Sequence, residues 1–437
     1  MRFSLFQAPR PAEPLMAAEA LALPRGEAGL ARTFRSLRNY NYRLFFFGQM
    51  ISLTGTWMQA IGQSWLVLDL THSPLALGTV TMLQFLPISL LVLFGGVIAD
   101  KVPKRRLLVL TQTSAMAQAF VLAFLTWSGL VTLWQIYILA AMLGLTNAID
   151  NPTRQAFVVE MVGRDDIMNA VALNSSLFNS ARLVGPAVGG VIIAVVGVGA
   201  AFFINGISFI AVIIGLLLMR PHLFYPTRRS GEGRVLEQLL EGLRYSLRTP
   251  SILLIVILMA AIGTFGYNFT VVLPLLARNA LHVGSIGFGA MTSAVGVGSL
   301  VAALALATLR KASRRTLLIG AMAFTVFLAA VAASPWYPLT LVLLVALGVA
   351  SISFTATANT SLQISSPDYL RGRVMSLYML LFAGTTPIGG ELTGFMAEHL
   401  GIRPTVGIEA AVCAVGIAAA LAYLAAQRRA SAAKPPA

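Results

Sequence analysis

Blocks of about twenty consecutive apolar residues recur from residue 44 to residue 426, and they constrain this chain more than any other feature. Each block is long enough to cross a hydrocarbon layer roughly 30 Å thick. No water is available at that depth to satisfy backbone N–H and C=O groups, so each crossing must be a helix that closes its hydrogen bonds internally. Spans are expected at 44–69, 77–99, 107–128, 133–152, 168–195, 199–219, 251–277, 285–308, 315–334, 339–359, 373–398 and 404–426. Of the 437 residues, 57% are hydrophobic and 11% charged, against roughly a quarter charged in a soluble domain. The fold class expected is therefore an all-α integral membrane protein with twelve transmembrane helices.

A net charge of +15 would suit nucleic acid, but the placement of the charge points elsewhere. Under this topology all of the 31 Lys and Arg residues except Arg182, Arg278 and Arg403 fall on one side. The positive-inside rule then puts both termini in the cytoplasm of a chain that sits in the cytoplasmic membrane. The lipid bilayer becomes the expected partner of the basic surface, and no nucleic acid is expected. Trp65, Trp127, Trp134 and Trp336 fall near the opposite ends of spans, where amphipathic rings favour the interface.

Cys413 is the single cysteine, so neither a disulfide framework nor a thiolate metal site is expected. His72, His282 and His399 lie in outer regions, and no phosphate-binding loop, His-Glu-x-x-His or nucleophile elbow occurs. No enzyme, metal or cofactor is expected. Energy for any transport must come from an ion gradient or from the substrate's own.

The expected organisation is a cytoplasmic tail at 1–36, a six-helix half at 37–219, a linker at 220–250, a second six-helix half at 251–427 and a tail at 428–437. Within the linker, Val235, Leu236, Leu239, Leu240, Leu243 and Leu247 recur at helical spacing opposite Glu237, Glu241, Arg244 and Arg248, which predicts an interfacial amphipathic helix. An internal repeat supports two halves with the same orientation. Asn151-Pro-Thr-Arg-Gln155 returns near a period of 208 residues as Asn359-Thr-Ser-Leu-Gln363, and Pro186-Ala-Val-Gly189-Gly190 resembles Pro387-Ile-Gly389-Gly390.

Gly96-Val-Ile-Ala-Asp100-Lys101-Val-Pro-Lys-Arg105-Arg106 joins spans two and three, and its form is similar to the loop signature of the major facilitator superfamily. Pro103 stands where that signature has glycine, and in the second half Leu309 replaces the acid. The resemblance implies a conformational latch at Gly96, Asp100, Lys101, Arg105 and Arg106, joined by Arg154, Arg371 and Arg373. A purely topogenic role for the charge run is the alternative.

In span five, Gly185-Pro186-Ala-Val-Gly189-Gly190 resembles the Gly-Pro-x-x-Gly-Gly motif of superfamily exporters, with Ala181 at its usual leading glycine. Together with Pro387, Gly389 and Gly390 it marks a candidate hinge and tight crossing. From 39 to 427 the chain resembles the siderophore- and macrolide-export branch of that superfamily, most visibly at Arg38-Asn-Tyr-Asn-Tyr-Arg-Leu-Phe, Asn151-Pro-Thr-Arg-Gln-Ala-Phe and Arg371-Gly-Arg-Val-Met-Ser. The resemblance implies a substrate site between the halves near the midplane.

Charge at membrane depth is costly and marks function by default. Asp150, Glu391, Glu409 and Arg182 are the deepest, with Asp69 at the end of span one, and these five are the proton-coupling candidates. Asp150 could neutralise Arg182 or Arg154, or could end a helix; for Asp69 a solvated cap is the alternative. Span one carries Gln49, Ser52, Thr56, Gln59 and Gln63 as one polar stripe, with Trp57 beside it. Asn174, Asn179 and Arg182 in span five, Tyr267 and Asn268 in span seven and Asn359 in span ten complete the expected cavity wall.

The function expected is a monomeric, proton-coupled exporter of amphipathic small molecules such as a siderophore, macrolide or other drug, working by alternating access. A metabolite importer or uniporter and a non-transporting receptor or assembly factor are the alternatives.

Overall fold

The computed structural model describes residues 34–225, 235–308, 313–382 and 384–432; the side chains of 92–97, 99–100, 235–240, 242, 307–308, 368–369 and 428–432 lie outside that description. The tail at 1–33, the loop at 309–312 and the end of the second tail likewise lie outside it.

Among the described residues the chain is helical and contains no strand. The first half comprises α1 (Tyr40–Thr71), α2 (Pro74–Lys101), α3 (Lys104–Trp127), α4 (Leu133–Val162), α5 (Ile167–Val196) and α6 (Val198–Leu218). The amphipathic helix α7 (Val235–Arg248) follows. The second half comprises α8 (Pro250–Phe265), α9 (Phe269–Leu275), α10 (Ser285–Thr308), α11 (Arg314–Ala333), α12 (Tyr337–Ser365), α13 (Asp368–Phe382), α14 (Thr386–Leu400) and α15 (Ile402–Ala432). Ten helical segments among the described residues, Pro250–Ala280 included, are long and apolar enough to cross a membrane; α1, which carries the polar stripe, and the expected eleventh span are not among them.

Two expected spans take a different form. The seventh is interrupted, with α8 ending at Gly266 and a one-turn π segment, Leu276–Ala280, following α9. Asn268 turns its amide back to donate to the Thr264 carbonyl at 2.9 Å, and so satisfies backbone freed at the break. The eleventh divides into α13 and α14, and Pro387 occupies the first turn of α14, where its missing N–H costs nothing. Pro186, by contrast, lies inside an uninterrupted α5.

Backbone geometry repeats between the halves. His72 after α1 and His282 after the π segment both adopt left-handed φ, 54° and 53°. Gly197 alone links α5 to α6 and Gly401 alone links α14 to α15, at φ 94° and 82°, values that favour glycine. Trp127, Trp134 and Trp336 are exposed at the helix ends.

The halves join through two crossings, α5 on α10 and α2 on α14. Both use glycine against backbone. A Cβ on Gly289 would lie 2.4 Å from the Pro186 carbonyl oxygen, and one on Gly78 would lie 2.7 Å from that of Gly390. Close helix approach of this kind replaces the hydrophobic drive that lipid removes. Polar bonds reinforce it: Ser293 donates to the Leu183 carbonyl at 2.7 Å, Ser285 to that of Gly190 at 3.0 Å, and Ser73 to Glu398 at 2.7 Å. Ser73 also accepts from the Ala76 N–H as the N-cap of α2, so one hydroxyl both starts that helix and fastens it to α14. Asp69 and Arg278 form an ion pair across the halves, and Trp65 stacks on Phe288 with centroids 6.1 Å apart.

These contacts lie away from the end carrying Lys104, Arg105, Arg220 and Arg314, which we term the basic end. The α5 stripe that meets α10 at Leu183, Pro186 and Gly190 continues towards the basic end as Asn179, Ser176, Ala172 and Met168. There it loses its cover, and Met168 is 85% exposed. The bundle is therefore closed at one end and splayed at the basic end.

Basic-end side chains cap and brace helices. Arg105 donates to the Leu216 and Leu217 carbonyls, both at 2.6 Å, at the C-terminus of α6. Lys104 pairs with Glu160 at 2.7 Å, and Arg373 pairs with Glu241 of α7. Leu243 and Leu247 of α7 are exposed, whereas Ser246 is fully buried.

Gly78→Val and Gly289→Val are each expected to overpack a crossing and to destabilise this closed end by about 1–3 kcal/mol. Disulfide trapping between cysteines placed at Ser73 and Glu398 should then slow to less than about half the rate on the parent background. An unchanged rate would show that the crossings do not depend on glycine.

Candidate functional site

Lipid-facing polar groups are too costly to keep, so the polar stripe of α1 must face protein or water. Ser52, Thr56, Trp57, Gln59 and Gln63 do so, lining a cavity of about 390 Å³ walled by the first half, with Thr270 of α9 reaching it from the second. Gln84, Gln112, Asp150, Arg154, Phe178, Asn205 and Thr270 complete much of its wall.

Its charged centre is the pair Asp150 and Arg154 on consecutive turns of α4, which form an ion pair. Asp150 is 1% exposed and fully coordinated. Thr111 and Gln112 of α3 donate to its Oδ1 at 2.7 and 2.9 Å, and Arg154 Nε donates to its Oδ2 at 3.0 Å. Arg154 also bonds Gln49 on α1, so one guanidinium ties α1 to α4. Of the two partners the sequence offers Asp150, the structure selects Arg154. Asp150 is not a helix end, since α4 continues for twelve residues beyond it through Pro152. Arg154 belongs to this cluster, apart from the basic-end contacts of Lys104, Arg105 and Arg373.

A second polar layer on the same helices was not anticipated. Gln118 donates to Ser114 at 3.1 Å and to Thr146 at 3.3 Å, and Asn205 donates to Gln59 at 2.6 Å. Thr111, Ser114 and Gln118 lie three or four residues apart on α3, a stripe as regular as that of α1 and readable in the same way.

In the second half, Glu409 of α15 is 1% exposed. It accepts from Thr393 of α14 and from Asn268 Nδ2 at 3.3 Å, beside the break that separates α8 from α9. No cation meets it among the described residues. Glu391 of α14 faces the α2 crossing, accepting from Thr79 at 3.2 Å through Oε1, while its Oε2 is buried without a partner. Asp69 sits in the exposed ion pair with Arg278 at the closed end.

Other expected wall residues sit elsewhere. Asn174 accepts from Tyr42 at 3.0 Å where α1 meets α5, Asn268 serves Glu409, and Asn359 accepts from Gln363 at 2.5 Å on α12. Tyr267 donates to the Ser351 carbonyl at 3.0 Å and stacks on Phe324. Asn179 is partly exposed at the opening of the cleft and bonds the Ser175 carbonyl. Arg182 lies beside the cavity with its guanidinium 5.9 Å over the Trp57 ring. Gly185 and Gly189 pack on α1 at Trp57 and Met58, while Gly190 meets α10 and Gly390 meets Thr81 of α2. Gly96 and the Asp100 side chain fall outside the description, Lys101 and Arg106 are exposed, and Arg371 donates to the Gln363 carbonyl at 3.3 Å.

Two repeated helical halves, joined by glycine crossings and holding a cavity in which polar side chains stand among apolar ones, define a secondary membrane transporter. The chain belongs to the transmembrane secretion effector family of the major facilitator superfamily, matched over residues 31–436. It is 27% identical to the staphyloferrin A transporter of Staphylococcus aureus over 84% of this chain and 92% of that protein. It is 26% identical to the multidrug efflux pump Tap of Mycolicibacterium fortuitum, over 83% and 90%. With the enterobactin exporter of Shigella boydii the identity is 24%, over 81% and 84%. The crystal structure of a bacterial homologue of the human lysosomal transporter Spinster, inward-facing and unoccupied, superposes with a TM-score of 0.70 at 13% identity. That match covers 92% of this chain and 99% of the other.

Asp150→Asn and Arg154→Gln are each expected to destabilise the protein by roughly 3–5 kcal/mol, since each strands the other partner. The double variant should lose less than the sum by at least about 1 kcal/mol in a thermal-unfolding cycle. Strict additivity would refute the pairing.

Proposed function

We propose that this transporter exports amphipathic small molecules from the cytoplasm by alternating access and couples each export to proton entry. The basic end, with both termini, faces the cytoplasm, so the splayed cavity is the loading state. The chain works as a monomer, because one copy supplies both halves. The export direction and the breadth of substrate rest on the relatives, which include transporters of staphyloferrin A and enterobactin and a multidrug efflux pump. The wall of amides, hydroxyls and four aromatic rings, Trp57, Phe85, Phe178 and Phe209, suits ligands with mixed surfaces.

The observation that carries proton coupling is the placement of Glu409. At Asp150 a guanidinium compensates the carboxylate, so the charge of that corner is balanced within the protein. Glu409 meets only neutral donors, and gain or loss of its proton is therefore felt in full by its neighbours. Those neighbours are Asn268, at the break in span seven, and Thr393 on α14, the helix that forms the crossing with α2. Cys413 is a titratable side chain within electrostatic reach of Glu409, and it supplies no positive charge. Protonation at Glu409 thus bears directly on a crossing that must part when the cavity opens outward. Glu391, at the same crossing, is the subsidiary site.

Proteoliposomes with an imposed pH gradient test this, with enterobactin, staphyloferrin A and ethidium as probes. Glu409→Gln is expected to lower gradient-driven flux about tenfold or more while leaving exchange without a gradient within about twofold of wild type. Undiminished gradient-driven flux in that variant would exclude Glu409 as the proton carrier.

A further inference from the structure

Arginines within the bundle are nearly all provided for. Arg154 meets Asp150 and Gln49, Arg278 meets Asp69, and Arg403 donates to the Ser334 carbonyl at 2.7 Å. Arg182 is different. It lies halfway along α5, and among the described residues no hydrogen bond or ion pair engages its guanidinium. Its ring neighbour, Trp57, contributes only a π face, at 5.9 Å, and Phe178 sits edge-on to that face at 5.7 Å. Tyr267 of the opposite half lies within electrostatic reach, but its hydroxyl is already engaged by Ser351.

The carboxylates at similar depth are committed as well. Asp150 belongs to Arg154, Glu409 to Asn268 and Thr393, and Glu391 to the α2 crossing. Nothing in this arrangement neutralises Arg182. It also stands where the closed crossing gives way to the cleft: the Arg182 carbonyl faces Gly296 of α10, and the next carbonyl, that of Leu183, accepts from Ser293. Arg182 keeps partial exposure in the splayed state, which limits the cost of its charge there. Closing the basic end would shut that charge away from water without a partner, which membrane interiors penalise strongly.

We propose that Arg182 is the receptor for an acidic group on the exported molecule. The substrate class is an amphipathic anion whose carboxylate, or equivalent acidic oxygen group, binds the guanidinium fork while its apolar part lies on Trp57 and Phe178. Guanidinium suits this task because its planar donors match a carboxylate in bidentate fashion. Occupancy by an anion then lowers the cost of closing the basic end, so that the residue which selects the substrate also favours the outward step of the loaded carrier. The inference rests on the export reading above and narrows its substrate class.

The primary test measures binding without a gradient, and a flux measurement in vesicles separates this inference from the export reading. Full-length protein in nanodiscs is titrated with 2-naphthoate and with its neutral isostere 2-naphthamide. Wild type is expected to prefer the acid by about tenfold or more, and Arg182→Gln to prefer it by less than about twofold with amide affinity unchanged. If Arg182→Gln does not fold, Arg182→Lys carries the test: the preference should fall at least about threefold, because the planar fork is lost. An acid preference retained in the variant, or absent from wild type, overturns the proposal. An intact, Arg182-dependent preference in a protein that moves no probe in vesicles removes export and leaves the receptor. Efflux of 2-naphthoate by Arg182→Gln at the wild-type rate does the reverse.

Discussion

Two helix crossings carry the relation between the halves. Where α5 meets α10 and α2 meets α14, glycine lies against backbone, so these contacts depend on close approach and are lost with small separations. Serine bonds and the Asp69–Arg278 pair sharpen the same interface without widening it. Everything that a transport cycle needs follows from how these crossings are placed. Because they grip at one end only, the other end can stand open, and the polar residues of α1, α3 and α4 can face water without facing lipid.

The cavity has an uneven distribution of charge that the internal repeat makes visible. Asp150 and Arg154 of α4 correspond, at the 208-residue offset, to Ala358 and Leu362 of α12, both buried and apolar. The first half therefore holds a compensated pair that braces α1, α3 and α4. The second half instead carries Glu409, which meets no counter-charge among the described residues and is bonded to Asn268 at the interrupted seventh span. In the proposed cycle the first half keeps its charge balance and the second registers a change in it. Arg182 stands between them, at the edge of a crossing and beside the aromatic wall.

Much of this was legible in the sequence because membranes impose simple rules. Apolar runs located the spans, the sidedness of Lys and Arg indicated an orientation, and the i, i+4 spacing of Asp150 and Arg154 allowed their pairing. The interruptions were not legible, because an apolar run such as 251–277 satisfies the length rule whether or not Asn268 bends back on Thr264. Nor were pairings across long separations. Asn268 meets Glu409 across 141 residues and Asn205 meets Gln59 across 146, and a single sequence carries no trace of either meeting. Asn174, Asn268 and Asn359 look like cavity amides by composition, yet each has a structural partner. The α3 stripe of Thr111, Ser114 and Gln118 is legible from its helical spacing, although it is shorter than the one on α1.

The central claim is that the two ends of the bundle open alternately to the cavity. Distances between spin labels test it directly, with one pair at Met168 and Leu304 near the basic end and another at Leu70 and Leu400 near the closed end, all exposed positions. On acidification with substrate present, alternating access predicts that the first distance shortens as the second lengthens. Both distances staying fixed, or moving in the same sense, would contradict it.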